Sequence, residues 1–176
     1  YFSILLRPAI DKRYWFGLSF VAALAMRAEL AACLGNVPLQ VKWPNDILAD
    51  GGKICGILLE ARNGAVVIGT GANITHVAPL TSAKHTATSL QSLGGEQIMP
   101  EDLADRYAAG LLSRVSTYET EGFAPVRLEW LSHCAHIDSM MRVSLPDMQV
   151  EGHFEGLGAD GALHLRRADG SRQEVT

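Results

Sequence analysis

Lys53-Ile54-Cys55-Gly56-Ile57-Leu58-Leu59-Glu60, followed by Asn63-Gly64 and then by Ala65-Val66-Val67-Ile68-Gly69, is the stretch that decides the fold of this 176-residue chain. Both runs are rich in branched and large apolar residues, the composition of a pleated and partly buried surface. Asn-Gly supplies two consecutive left-handed positions at little cost, so it predicts a two-residue hairpin turn. The two runs are therefore expected to pair antiparallel. The first is apolar on both faces, which predicts a central place in its sheet.

Working upstream, Leu39 to Trp43 reads as a short strand stopped by Pro44, with a polar loop from Asn45 to Gly52. Tyr14 to Leu34 carries apolar residues on nearly every face and closes on Gly35-Asn36, predicting a mostly buried helix. Residues 1–7 alternate like a strand that Pro8 ends. Downstream, Thr70-Gly71-Ala72-Asn73 opens a loop rich in Pro, Thr, Ser and His that runs to about Ser92 and is long enough to suggest function. Pro100 starts a helix to about Glu121, with Glu101 and Asp102 complementing its dipole. A second helix is expected from about Ala124 to Ala135. From Met140 the pattern becomes short strands, Met141 to Leu145, Val150 to Gly156, Gly161 to Arg167 and Arg172 to Val175, punctuated by Asp160-Gly161 and Asp169-Gly170. Four strands in so short a span predict a small barrel. Without regular alternation of strand and helix, the class is α+β, a mixed and largely antiparallel sheet packed on helices, and not a doubly wound fold.

Composition sets the boundaries of function. The chain is 48% hydrophobic and 19% charged, with a formal net charge of −4, the profile of a globular protein able to offset its own ordering entropy. The acidic balance and the lack of a Lys/Arg cluster argue against nucleic acid as a partner for this segment. The longest apolar stretch, Trp15 to Leu34, is interrupted by Arg27 and Glu29 and reads as a core helix, so no membrane partner is expected. Cys33, Cys55 and Cys134 lie in hydrophobic surroundings, as buried thiols of a cytoplasmic protein do. The chain opens in what looks like the middle of a strand, and residues before Tyr1 are expected.

Several chemistries fail on inspection. Gly51-Gly52-Lys53 resembles the end of a phosphate-binding P-loop, but Ile54 stands where Ser or Thr is needed and Ile47 where the first glycine belongs. Gly69-Thr70-Gly71 begins like a dinucleotide fingerprint, yet Ile74 occupies the third glycine position. His133-Cys134-Ala135-His136 has no second cluster at zinc-site spacing, so it reads as a helix-end group. No Gly-x-Ser-x-Gly elbow occurs.

What remains is one constellation: Val41-Lys42-Trp43-Pro44-Asn45-Asp46-Ile47, then Lys53 to Glu60, then Val67 to Ile74. It sets an amide and a carboxylate, Asn45 and Asp46, at one strand end, a lysine at the start of the next strand, and small residues on two paired strands. Gly56, Gly69 and Gly71 leave backbone unshielded, so a flat ligand can lie on the strands and exchange hydrogen bonds with them. Lys53 would be the cation of such a pocket, with about 4 kcal/mol of attraction for an anion at about 4 Å and an effective dielectric of about 20. Singly, each feature has a plainer reading: a solvated edge lysine, a turn, a bulge. Their joint spacing points to a site.

The segments VKWPNDI, GGKICGILLE and VVIGTGANI resemble, in this order and spacing, the catalytic core of biotin–protein ligases, that is biotin–[acetyl-CoA-carboxylase] ligases. YFSILLRP is similar to the strand before that family's long buried helix, ATSL at Ala87 to Leu90 to a recurrent loop, and GHFEGLGADGALHLRRADG to its C-terminal SH3-like domain. The resemblance implies a catalytic domain over residues 1–138 and an SH3-like β-barrel over 139–176. It implies a biotin/lipoate ligase-like reaction in two steps: biotin's carboxylate attacks the α-phosphate of Mg-ATP to give biotinyl-5′-AMP, and a lysine of apo biotin carboxyl carrier protein takes the biotinyl group. Biotin and ATP with Mg2+ are then substrates, and no tightly bound cofactor is expected.

By the same resemblance Lys53 is the catalytic, biotin- and phosphate-binding lysine. Gly56, Gly69 and Gly71 line the biotin and adenylate sites, Asn45 and Asp46 lie near the nucleotide and its Mg2+, and Asn73 on the adenine side. No metal is held by protein ligands alone. Lys42 and Trp43 belong to the motif, Trp43 as packing. Some family members pair as homodimers edge to edge through the sheet. The family's arginine- and glycine-rich loop and its ureido-recognising residues precede the strand that begins this chain, so a polypeptide of just these residues is expected not to make biotinyl-AMP. The readings to be separated from this one are a lipoate–protein ligase or lipoyl transferase, and a biotin-sensing repressor carrying a helix-turn-helix.

Overall fold

In the computed structural model, residues 1–75, 86–145 and 148–176 are described. The Lys53–Gly69 stretch folds as its sequence predicts: strand β4 (Gly52–Arg62) turns at Asn63-Gly64 into β5 (Ala65–Ala72), and the two pair antiparallel. Both turn residues have positive φ, 51° and 75°, which is what a two-residue turn needs to match the right-handed twist of its strands. Strand β5 runs on to Ala72, past the predicted end at Gly69, because Thr70, Gly71 and Ala72 still find partners in Ile57, Gly56 and Cys55.

The first sheet has five strands in the order β1-β5-β4-β3-β2, where β1 is Phe2–Leu6, β2 Leu39–Lys42 and β3 Asp46–Ala49. All neighbours in it are antiparallel, and β4 is central as expected. Strand β3 corrects the expected Asn45–Gly52 loop. Ile47, Leu48 and Ala49 are three consecutive buried apolar residues that form a hairpin with β2, and so only the flanks of the segment remain loop. A polar sequence with a short apolar centre hid this strand.

Helix α1 (Gly17–Leu34) packs beneath the sheet. By length and composition alone it could cross a membrane, with a mean hydropathy of 1.6, so Arg27 and Glu29 do not break it as the sequence suggested. Burial shows what it is: 67% of it lies inside the chain, the condition of a core helix. The helix starts at Gly17, three residues after its predicted start at Tyr14, which instead ends a 3-10 turn at Lys12–Tyr14 capped by the Asp11 carboxylate, which accepts from the Arg13 amide at 3.0 Å. Gly35, at φ 60°, ends the helix.

Helix α2 (Pro100–Glu121) and helix α3 (Phe123–Ser132) complete the helical layer around α1. Helix α3 stops three residues before its predicted end, because Val41 of β2 bridges Cys134: the Val41 amide donates to the His133 carbonyl and the Ala135 amide to the Val41 carbonyl. The four C-terminal strands, β6 (Met140–Ser144), β7 (Gln149–Leu157), β8 (Leu163–Arg166) and β9 (Arg172–Val175), form an antiparallel sheet in chain order. Its inner face, Val150, Phe154, Leu157, Leu163, Leu165 and Val175, joins the same hydrophobic core as the first sheet and the helices. Trp43 donates its indole N–H to the Gly161 carbonyl at 3.4 Å, tying the turn between β7 and β8 to the β2–β3 hairpin.

Candidate functional site

Strand β4 does not alternate cleanly. Its register against β3 pairs Ile47 with Cys55 but Leu48 with Lys53, leaving Ile54 as the extra residue of a bulge. Ile54 and Cys55 are consequently both buried, at 0% and 1% exposure. The bulge inverts the facing of whatever precedes it. Lys53, three residues before Gly56 and so destined for the opposite face of a regular strand, instead reaches over Gly56: its Nζ lies 3.1 Å from where a Cβ on Gly56 would stand.

Asp46 sits directly across the ladder from Gly56. Its Oδ1 is 2.5 Å from Lys53 Nζ, with the lysine side chain 41% exposed and the carboxylate 17%. The glycine leaves the space that this ion pair occupies. Beyond the end of β5 the chain returns along β4, where the Lys53 amide donates to the Thr86 carbonyl and the Thr88 amide to the Lys53 carbonyl, at 2.8 and 3.0 Å. Lys53 is thereby fixed on both sides of its backbone while its ammonium lies against Asp46 at the cleft.

A cleft of about 890 Å³ opens on this face. Lys53, Asn45, Asp46, Gly56, Gly69, Gly71 and Asn73, the seven residues singled out in the sequence, all line it. Two of the amides are already engaged with the main chain. Asn45 Nδ2 donates to the Ile57 carbonyl at 2.5 Å, and Asn73 Nδ2 to the carbonyls of Thr88 and Lys53 at 2.9 and 3.3 Å. These side chains hold the cleft's walls together. Trp43 lies outside the lining and packs on the core, as expected. Lys42 is also outside it. Burial holds the Lys42 ammonium below the ordinary lysine range, against the pull of Asp46 and with the push of Lys53.

Sequence reading missed Tyr1, Phe2, Ser3, Leu58, Thr70 and Ala87, which also line the cleft. Strand β1 brings the first three, through its pairing of Phe2 with Thr70 and Ser3 with Gly69. Strand partners that are far apart in the chain leave no local signal. The side chain of Thr70 is buried under the floor, its hydroxyl 3.0 Å from that of Tyr107 on α2. Part of the expected loop before Ser92, residues 76–85, lies outside the described residues.

Cys55 also borders the cleft, but its thiol is buried and pushed up to about 12, first by desolvation and then by the Asp46 charge. Cys134 is likewise pushed up to about 12 by burial, and burial raises Cys33 as well. A thiol at such a pKa carries almost no thiolate at neutral pH. The folded protein is therefore expected to resist iodoacetamide at about pH 8, where an ordinary thiol of pKa about 8.5 already reacts, all three cysteines being modified only on unfolding. Rapid labelling of Cys55 in the native state, read by mass spectrometry, would contradict this burial.

Comparison with known proteins places these features among relatives. Residues 1–73 match the model of the biotin/lipoate A/B protein ligase family. A biotin–[acetyl-CoA-carboxylase] ligase of Paracoccus denitrificans is 35% identical over 173 residues, 93% of this chain and 72% of that protein. The bifunctional ligase/repressor BirA of Bacillus spizizenii is 32% identical over 97% of this chain, which spans 54% of that relative's length. The fold is that of the biotin protein ligase from Aquifex aeolicus solved in complex with biotin and ATP, with a TM-score of 0.85 at 20% identity over 98% of this chain and 73% of that one.

Proposed function

Because this chain belongs to the biotin–protein ligase family within the biotin/lipoate A/B protein ligases, we propose that its cleft joins biotin to ATP as biotinyl-5′-AMP and passes the biotinyl group to a lysine of apo biotin carboxyl carrier protein. The observation that carries this reading is the Lys53 ammonium standing over Gly56 at the glycine-floored end of the cleft. A biotin carboxylate oxygen attacks the α-phosphorus, the bond to pyrophosphate breaks, and a mixed anhydride forms. The neutral amine of the acceptor lysine then attacks the acyl carbon, AMP departs, and the amine loses its extra proton to solvent.

Two anions must meet in the first step, and Lys53 supplies fixed positive charge where they do. Gly69 leaves strand backbone open to a planar ligand, while the missing side chains of Gly56 and Gly71 make room for the Lys53–Asp46 pair and for the Tyr1 ring at the edges of the floor. Asn45 and Asn73 hold the edges of the site through their bonds to β4 and the 86–88 return. Mg2+ enters with ATP as part of that substrate. Asp46 is the one carboxylate among the described lining residues, and no group of three His, Cys, Asp or Glu side chains is found among the described residues. Three buried free thiols suit a reducing compartment, and the cytoplasm is the proposed one.

Labelled pyrophosphate is expected to exchange into ATP when the full-length protein is given biotin, and not when it is given lipoate. Exchange driven by lipoate alone would assign the cleft to lipoate ligation, and exchange with neither would overturn both. Repression of transcription is a second reading, favoured by the BirA relatives. Retention of double-stranded DNA by the full-length protein, dependent on biotinyl-AMP, tests it.

A further inference from the structure

Lys42 does not line the cleft, yet it stands directly across the β2–β3 ladder from Asp46. Directly opposed residues of an antiparallel pair share a face, with Cβ atoms about 4.5–5.5 Å apart. On its other side Asp46 opposes Gly56, over which Lys53 places its ammonium, 2.5 Å from Asp46 Oδ1. One carboxylate thus stands between two lysines, one lining the cleft and one at the end of the edge strand β2. At 17% exposure that carboxylate is too withdrawn from water to be left without a cation at no cost.

A ligand that brings its own carboxylate to Lys53 creates a conflict, since two carboxylates cannot lie against one ammonium without repelling each other. The ladder offers the exit. Rotation of the Asp46 side chain about its own bonds turns it from Lys53 toward Lys42 on the same face, with no movement of the sheet. We propose that Asp46 is a placeholder anion on Lys53, displaced by the carboxylate of the substrate, and that Lys42 is the positioning residue that takes over the released Asp46. The proposal rests on the reading of this cleft as a biotin site. It gives Lys42, a member of the VKWPND run, a task that does not require contact with substrate. It also keeps Lys53 neutralised and folded onto the sheet until a ligand arrives.

The test is calorimetric titration of the full-length protein, without ATP, with biotin and with biotinol, the neutral alcohol analogue. Asp46→Asn is expected to tighten biotin about five-fold by removing the competitor, which at about 1.4 kcal/mol per ten-fold is about 1 kcal/mol. Lys42→Met is expected to weaken biotin by a similar factor, Lys42→Arg to restore it, and Lys42→Met to have no effect once Asp46→Asn is also present. Biotinol affinity is expected to be unchanged by either Lys42 substitution, which a merely structural role for Lys42 would not produce. Should Asp46→Asn fail to fold, the Lys42→Met and Lys42→Arg pair decides by the same contrast between the two ligands. Equal effects on biotin and biotinol, or a Lys42→Met loss that persists when Asp46→Asn is combined with it, overturn the proposal alone. Failure of the unsubstituted protein to bind biotin overturns it together with the functional reading.

Discussion

Lys53→Ala is expected to slow biotinyl-adenylate formation by about 10²–10³-fold, the cost of removing one preorganised charge from a site where negative charge gathers. Folding should barely register the change. The lysine side chain is 41% exposed and its pairing with Asp46 is correspondingly screened, so the loss of stability is expected to stay within about 1 kcal/mol. Asp46 moreover keeps Lys42 as its neighbour across the ladder. Pyrophosphate exchange and a thermal melt on the same preparation separate the two quantities. Ordinary exchange by the Lys53→Ala protein would remove Lys53 from the chemistry, and a parallel collapse of both readings would show that the lysine holds the fold and not the substrate.

The other large effect is expected far from the cleft. Trp130 of α3 is 1% exposed and meets Phe20 of α1 edge to face, with ring centroids 5.5 Å apart, while Phe20 in turn meets Phe123 at 5.2 Å. Phe16 and Phe20 also close over Gly161, where an added Cβ would lie about 3 Å from their rings. This aromatic group joins α1 and α3 to the turn between β7 and β8. Trp130→Ala is expected to cost about 3–5 kcal/mol, through lost burial and the cavity left behind. Against a total of about 5–15 kcal/mol that is enough to populate the unfolded chain. The urea midpoint should fall with an unchanged slope, and saturating biotin should recover about 2.7 kcal/mol at a roughly hundred-fold excess over its Kd. A loss below about 1 kcal/mol, the ordinary size of a point substitution, would mean that Trp130 does not carry the packing of α3 on α1.

Much of the site is legible in the residues themselves. Asn63-Gly64 announces the hairpin, because those residue types tolerate the two positive φ angles that the turn uses. The glycines of β4 and β5 mark a floor because strands seldom forgo side chains without cause. The run from Lys42 to Asp46 signals polar groups beside a strand end. Where expectation and structure part, non-local pairing is the reason. The segment Asp46–Ala49 is too short, and too closely flanked by Asn45 and Asp50, to declare itself a strand, and becomes one only because β2 and β4 flank it. Cys134 and Ala135 leave their expected helix because the Val41 backbone offers them a partner.

From composition and spacing alone came the class of fold, the central hairpin, the buried helix and a shortlist of polar groups, since each depends on preferences that a residue expresses within a few neighbours of itself. The facing of Lys53 was settled elsewhere. In a regular strand, residues 53 and 56 point to opposite sides, and the single extra residue at Ile54 that reverses this exists only in the pairing of β4 with β3. A strand's register is a property of two chain segments at once, and for that reason the charge that sits in the cleft was placed by the sheet.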